Sequence, residues 1–273
     1  YNMAKAAVEM GAWGLEAVRP GVSLATLLGG TRAAVPVGVS VGLQKTDEAL
    51  LAQVEDRLAQ GYKKIKLKIK PGRDVDMVGK VRAAFPEAPL MADANSSYTL
   101  EDLDALKALD AMGLMMVEQP LGSEDLREHA LLQAELNTPV CLDESIRSPG
   151  DTELALVLGS GRIVNIKPGR VGGFTSSRRI HDLCAAADVP VWCGGMLEAG
   201  IGRAYNLALA SLPNFLLPGD ISESRRYWAE DIVEPEFIME DGMMPVPDGP
   251  GIGVTVREDR IEELTTRRWS KRV

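Results

Sequence analysis

The chain has 273 residues, 45% hydrophobic and 25% charged, with a formal net charge of −9, which suits one large α/β domain of ordinary globular composition. The acidic balance argues against a nucleic-acid surface, which needs a basic stripe. No apolar run approaches the roughly 20 residues that cross a bilayer, and the amino end lacks a basic-then-apolar leader pattern, so the expectation is a cytoplasmic chain with neither nucleic acid nor membrane as partner.

The first segment carries Met3, Met10 and Trp13 at helical spacing, but Gly11 and Gly14 interrupt it and Pro20 follows. Each glycine costs roughly 1 kcal/mol relative to alanine in a helix interior, which predicts a frayed or loosely packed opening helix. VPVGVSVGL (35–43) reads as the first strand. Five short apolar runs follow, each ending in a charged residue: KIKLK (64–68), PLMAD (89–93), MMVE (115–118), PVCLD (139–143) and IVNIK (163–167). VPVWCGG (189–195) and NFLLPGD (214–220) bring the count to eight strands. Helical patterns lie between them at 74–85, 99–109, 123–136, 151–159, 175–187 and 203–212, with Thr99 and Ser123 as candidate caps. Eight strands with intervening helices match a closed barrel. An open doubly wound sheet would usually carry a GxGxxG turn, and none occurs.

Lys68, Asp93, Glu118, Asp143 and Lys167 fall 25, 25, 25 and 24 residues apart. That beat is one strand plus one returning helix, so the five residues share one end of consecutive parallel strands. Side chains alternate along a strand, so Lys66 joins Lys68 on the inward face, Asn95 joins Asp93, and Asn165 joins Lys167.

Three converging carboxylates would raise one another's proton affinity, and a hard divalent ion resolves that conflict, Mg²⁺ first and Mn²⁺ second. The lysines would face each other across the mouth. With Lys66, Arg170 and the metal lowering their proton affinity, they offer two bases on opposite faces of one carbon next to a carboxylate. Cys141, Cys184 and Cys193 read as reduced core thiols, and His129 and His181 as surface or partly buried helix positions. The pairs Gly172–Gly173 and Gly194–Gly195 suit either anion binding through backbone amides or tight turns beside a crowded site.

KIKLKIKPG, ADANSSYTL, VEQPL, CLDES, VNIKPGRVGG, VWCGGMLEAGIGRA and LPGDIS resemble, in order, the enolase superfamily. The similarity is to its muconate-lactonizing subgroup, most closely the N-acylamino acid racemase / o-succinylbenzoate synthase family, and it runs from about residue 2 to 255. This superfamily is known for a Lys or His base with Mg²⁺ stabilising an enediolate. The resemblance implies Asp93, Glu118 and Asp143 as metal ligands and Lys68 and Lys167 as the acid/base pair. It places Lys66, Ser40, Asn165, Met196 and Leu197 against the substrate, a small carboxylate, with Asn95 and Arg170 behind them.

It also implies a (β/α)7β-type TIM barrel over 31–228, preceded by a helical lead-in (1–30) and followed by a return segment (229–273) that would pack on a cap. Only remnants of the α+β capping domain would be present, leaving apolar surface on the opening helix and the tail that favours a homo-oligomer. Where relatives often have Asp, this chain has Gly14. The implied activity is N-acylamino acid racemisation, o-succinylbenzoate formation by syn dehydration, or both, with Arg170 beside Lys167 leaning toward the racemase. A dipeptide epimerase or cycloisomerase is the alternative, weakened because Asp220–Ile221–Ser222 stands where an Asp-x-Asp is typical; a catalytically impaired binding or structural subunit is another.

Overall fold

The computed structural model describes residues 1–270. The chain opens with α1 (Asn2–Val18) and α2 (Leu24–Leu28), and β1 (Ala34–Pro36) leads into β2 (Val39–Val41). Helix and strand then alternate through α3 (Asp47–Ala59), β3 (Ile65–Lys68), α4 (Val75–Ala84), β4 (Leu90–Asp93), α5 (Leu103–Asp110) and β5 (Val117–Glu118). The alternation continues with α6 (Arg127–Glu135), β6 (Val140–Leu142), α7 (Pro149–Leu158) and β7 (Ile163–Ile166). A short α8 (Pro168–Val171), α9 (Phe174–Ala186), β8 (Val191–Cys193) and α10 (Gly200–Ala210) complete it. The tail adds β9 (Val233–Glu234), β10 (Met243–Pro245), β11 (Thr255–Val256) and α11 (Glu258–Leu264).

Strands β2 to β8 form one parallel ladder in sequence order. Its alternation sorts the core into two sets. Ile65, Leu67, Leu90, Ala92, Val117, Val140, Leu142 and Val164 face the helices, whereas Met91, Met116, Cys141, Ile163 and Trp192 fill the barrel interior. Each fully buried aliphatic side chain contributes about 1.5–3 kcal/mol of burial. The register is staggered: Asp93 lies opposite Lys68 and Glu118, while Glu118 lies opposite Cys141, so Asp143 stands two residues beyond that pairing. This stagger accompanies the strand tilt that curls a sheet into a barrel.

The eighth position differs from expectation. Residues 214–220 make no regular strand. Val191 donates to the Asn214 carbonyl, the Asp220 amide to that of Cys193, Gly219 to Pro36, and Gly38 to Gly219, so the segment closes the barrel by touching both neighbours at points. The first expected strand also divides. Ala34–Pro36 pairs with Met243–Pro245 outside the barrel, and only Val39–Val41 joins the ladder.

α1 is a continuous helix, not a frayed one. Gly14 explains this, because a Cβ there would stand 2.6 Å from the Tyr205 hydroxyl, so the glycine admits close packing against α10. Met10 and Trp13 are half-buried on the core, whereas Met3, Val8, Leu15 and Val18 are exposed. The tail is less exposed than anticipated: Met244 and Val246 are buried beside β1, and the Leu24 amide donates to Gly251. Thr99 caps its helix with a reciprocal Asp102 contact, but Ser123 does not cap. α6 starts at Arg127, and the Asp125 carboxylate accepts from the Glu128 amide instead.

The three cysteines are free and buried. Both histidines are buried rather than superficial, since each is needed by a backbone amide: His129 Nε2 accepts from Leu121 and His181 Nε2 from Asn214. Among the described residues no helix is long and apolar enough to cross a membrane.

Candidate active site

The mouth lies at the carboxyl ends of the parallel strands, where barrel chemistry is usually housed. Lys66 and Lys68 point inward from β3 as alternation requires. Lys68 Nζ donates to Asp93 Oδ2 at 2.6 Å and also to Asn95 Oδ1. Across the barrel, Lys167 stands at the N-terminal boundary of α8 and its Nζ donates to Asp143 Oδ2 at 2.7 Å. Between them Glu118 is fully buried, accepting from Lys66 Nζ at 2.9 Å and Asn165 Nδ2 at 2.8 Å. Arg170 pairs with Asp143 and reaches back to the carbonyls of Ile146 and Asn165. Asn95 Nδ2 donates to Glu144.

Lys66 is the hub. Its ammonium stands 2.7 Å from Asp220, 2.9 Å from Glu118 and 3.2 Å from Asp93. Burial acts to lower its proton affinity, but Asp220, Glu118 and Asp93 outweigh that and hold it well above the ordinary lysine range. Lys66 is therefore a fixed positive charge. Below it, Lys64 is completely buried, 3.1 Å from Asp220 Oδ1 and 3.4 Å above the centre of the Trp192 ring. Burial pulls Lys64 down, with Asp220 opposing. Asp220 itself would be raised by burial, yet Lys64 and Lys66 hold it well below the usual carboxylate range.

Lys64 and Asp220 were not anticipated as site residues. The signal for Lys64 was present, since residues 64, 66 and 68 share one face, and Gly38 makes its room: a Cβ there would lie 2.6 Å from Lys64 Cε. Asp220 ends the irregular closing segment, which carries no strand pattern. Glu198, Arg203, Ser222, Arg226 and Tyr227 also line the mouth without having been singled out. Ser40 and Leu197 line it too, while Met196 lies exposed on the same loop outside the lining.

The three carboxylates do not raise one another's proton affinity unopposed, as convergence alone would imply. Asp93, Glu118 and Asp143 each rest on a lysine, and among the described residues no three His, Cys, Asp or Glu side chains are gathered closely enough to hold a metal ion. Their chemistry nonetheless fits a hard divalent cation. The donors are carboxylates alone, carried at three successive strand ends, and among the described residues the buried Oδ1 of Asn165 beside Glu118 has no hydrogen-bond partner.

The glycine pairs resolve differently. At Gly172–Gly173 the anion belongs to the protein: the Glu9 carboxylate accepts from the Phe174 amide at 2.7 Å and the Thr175 amide at 2.9 Å. Gly194 and Gly195 are close-approach positions, where a Cβ would strike Asn165 Oδ1 and the Asp220 carbonyl.

Residues 49–260 match the family model described as "Enolase C-terminal domain-like". The chain is 58% identical over 264 residues to an o-succinylbenzoate synthase of Geobacillus kaustophilus, covering 97% of this chain and 70% of that protein. It is 52% identical to an N-succinylamino acid racemase of Thermus thermophilus, covering 96% and 71%. The solved structure of an enolase-superfamily member from Listeria innocua superposes with a TM-score of 0.92 at 49% identity, covering 95% of this chain and 70% of that one.

Proposed function

The chain belongs to the enolase superfamily, and from that membership and the geometry of the mouth we propose that it removes a proton alpha to a carboxylate. The reaction is racemisation of N-acylated amino acids, formation of o-succinylbenzoate by syn dehydration, or both. One observation carries the reading: Lys68 and Lys167 stand on β3 and just after β7, with the three carboxylate-bearing strand ends in ladder order between them. Residues 31–228 supply this machinery, with 1–30 and 229–273 flanking it.

Asp93, Glu118 and Asp143 would hold a divalent ion, Mg²⁺ before Mn²⁺. When bound, that ion supplies electrostatic stabilisation of the charge that develops on the substrate carboxylate as the proton leaves. Lys68 Nζ takes or returns the proton on one face of the reacting carbon and Lys167 Nζ on the other, each acting as a base only in its neutral form. Lys66, held charged by Asp220 and Glu118, is unsuited to proton abstraction and orients the substrate carboxylate as a fixed cation. Asn165 fixes Glu118, and Arg170 fixes Asp143 beside Lys167.

Both named relatives act, by their names, on compounds carrying a succinyl group. Incubation in D₂O with Mg²⁺ and N-acyl amino acids tests the proposal. Deuterium at the α-carbon with inversion is expected; absence of exchange from both enantiomers and of dehydration would sink it.

A further inference from the structure

One buried side chain that the proposed chemistry does not use joins the ends of the carboxylate-bearing strands. Gln119 directly follows Glu118 and is fully buried. Its Oε1 accepts from the amides of Asp143 at 2.9 Å and Ser145 at 3.2 Å. Its Nε2 donates to Ser145 Oγ at 2.7 Å and to the Leu121 carbonyl at 3.2 Å. The backbone of the same residue donates to the Cys141 carbonyl and accepts from the Ser96 amide. Gln119 thus ties together the chain just beyond β4, β5 and β6, the three strands whose ends carry Asp93, Glu118 and Asp143.

Its backbone points the same way. Gln119 has a φ of 39°, in the left-handed region that residues other than glycine rarely enter and keep only where surrounding contacts over-determine them. Gln133 makes a similar clamp at the opposite end of β6, away from the mouth: its Oε1 accepts from the Val140 amide at 2.7 Å and its Nε2 donates to the Leu136 and Thr138 carbonyls. Two buried amides therefore brace one strand, and only one of them holds the backbone that carries candidate ion ligands.

We propose that Gln119 is a positioning residue that fixes the spacing of Glu118 and Asp143 and thereby makes the site prefer a small divalent ion. The inference rests on the proposed function for the identity of the ion ligands. Mg²⁺ demands near-ideal octahedral geometry, whereas the larger Ca²⁺ accepts flexible arrangements of oxygens. Loosening one carboxylate against the other therefore penalises Mg²⁺ more than Ca²⁺. Groups that hold an ion's ligands in place are typically worth about 10–100-fold in affinity.

The test measures binding of Mg²⁺ and of Ca²⁺ by calorimetry, without substrate, in wild type, Gln119→Met and Gln133→Met, with urea unfolding of each in the absence of metal. Methionine keeps the shape of glutamine and removes its hydrogen bonds, so both variants lose stability. Gln119→Met is expected to bind Mg²⁺ about 10–100-fold more weakly and Ca²⁺ with a smaller loss, while Gln133→Met keeps the wild-type affinities and their ratio. Ser145→Ala, which removes one acceptor of the Gln119 amide, should shift the ratio the same way by less, and decides the matter if Gln119→Met does not fold. An unchanged Mg²⁺ affinity in the variants at 119 and 145, an equal loss for both ions, or the same loss in Gln133→Met overturns the positioning role while leaving the proposed reaction standing. A wild type that binds neither ion overturns both. The expected ratio shift in a chain that exchanges no α-proton supports the role of Gln119 and removes the reaction.

Discussion

Glu9 and Phe174 lie 165 residues apart, yet the Glu9 carboxylate accepts the Phe174 amide at 2.7 Å and so caps α9 from the opening helix. Thr175 adds its amide and hydroxyl, and Trp13 its indole nitrogen. Burial would raise the Glu9 carboxyl, but these donors outweigh it and hold it below the ordinary value of 4.5.

That depression fixes a sign. A carboxyl lowered in the folded state stabilises the fold fully above its unfolded value and loses this as pH falls through the folded value. Glu9→Gln should lower stability at pH 7 by about 1 kcal/mol, the usual worth of a helix cap. The deficit relative to wild type should shrink as pH drops below 4.5. Urea unfolding of both proteins at several pH values checks this; a pH-independent deficit would mean that shape, not charge, holds α1 to α9.

Metal binding is read most directly from stability. A ligand that binds only the folded state raises the melting temperature by mass action. Mg²⁺ or Mn²⁺ should raise that of the wild-type chain, and Glu118→Gln should abolish the rise even if its own melting point has moved. An undiminished metal-dependent rise in Glu118→Gln would take Glu118 out of the ligand set.

The two lysines should separate by face. Lys68→Ala and Lys167→Ala should each abolish inversion, with losses of roughly 10²–10⁴-fold, while each keeps α-proton exchange for the enantiomer served by the remaining lysine. Lys→Arg changes should do nearly as badly, since arginine does not give up its proton. Deuterium incorporation into separate D and L substrates gives the answer, and substantial inversion by Lys167→Arg would end the two-base picture.

Gly14→Ala tests the helix contact. Alanine favours the helix by roughly 1 kcal/mol, but overpacking costs about 1–3 kcal/mol. The new Cβ would lie 2.6 Å from the Tyr205 hydroxyl. The substitution should destabilise the wild type and become neutral or stabilising in a Tyr205→Phe background, where the hydroxyl is gone; equal effects in both backgrounds would place the conflict elsewhere.

Much of the fold was legible because charged residues punctuate apolar runs at a constant interval. Lys68, Asp93 and Glu118 all end their strands, and Asp143 and Lys167 follow theirs by one residue. What escaped depends on tertiary closure. Gly14 of α1 read as weakness because propensity carries no information about Tyr205 packing across from it, whereas Gly11 has no neighbour at its Cβ position among the described residues. Asp220 was obscured because its segment bonds to its neighbours at points rather than through a ladder, so no alternation marks its inward side. The pairing of each carboxylate with its own lysine follows from the reach of side chains across neighbouring strands, which spacing along one chain leaves undefined.

That closing segment sets the two sides of the mouth apart mechanically. The strands from β3 to β7 are laced edge to edge, so the positions of Lys68 and the three carboxylates are over-determined by their neighbours. Residues 214–220 touch theirs through a few bonds at Asn214, Gly219 and Asp220, which transmit little distortion sideways. Changes of slope or length in the stretch that follows can thus be absorbed locally. A lineage built on this barrel can vary the closing-segment side of the mouth while the laced side stays in register.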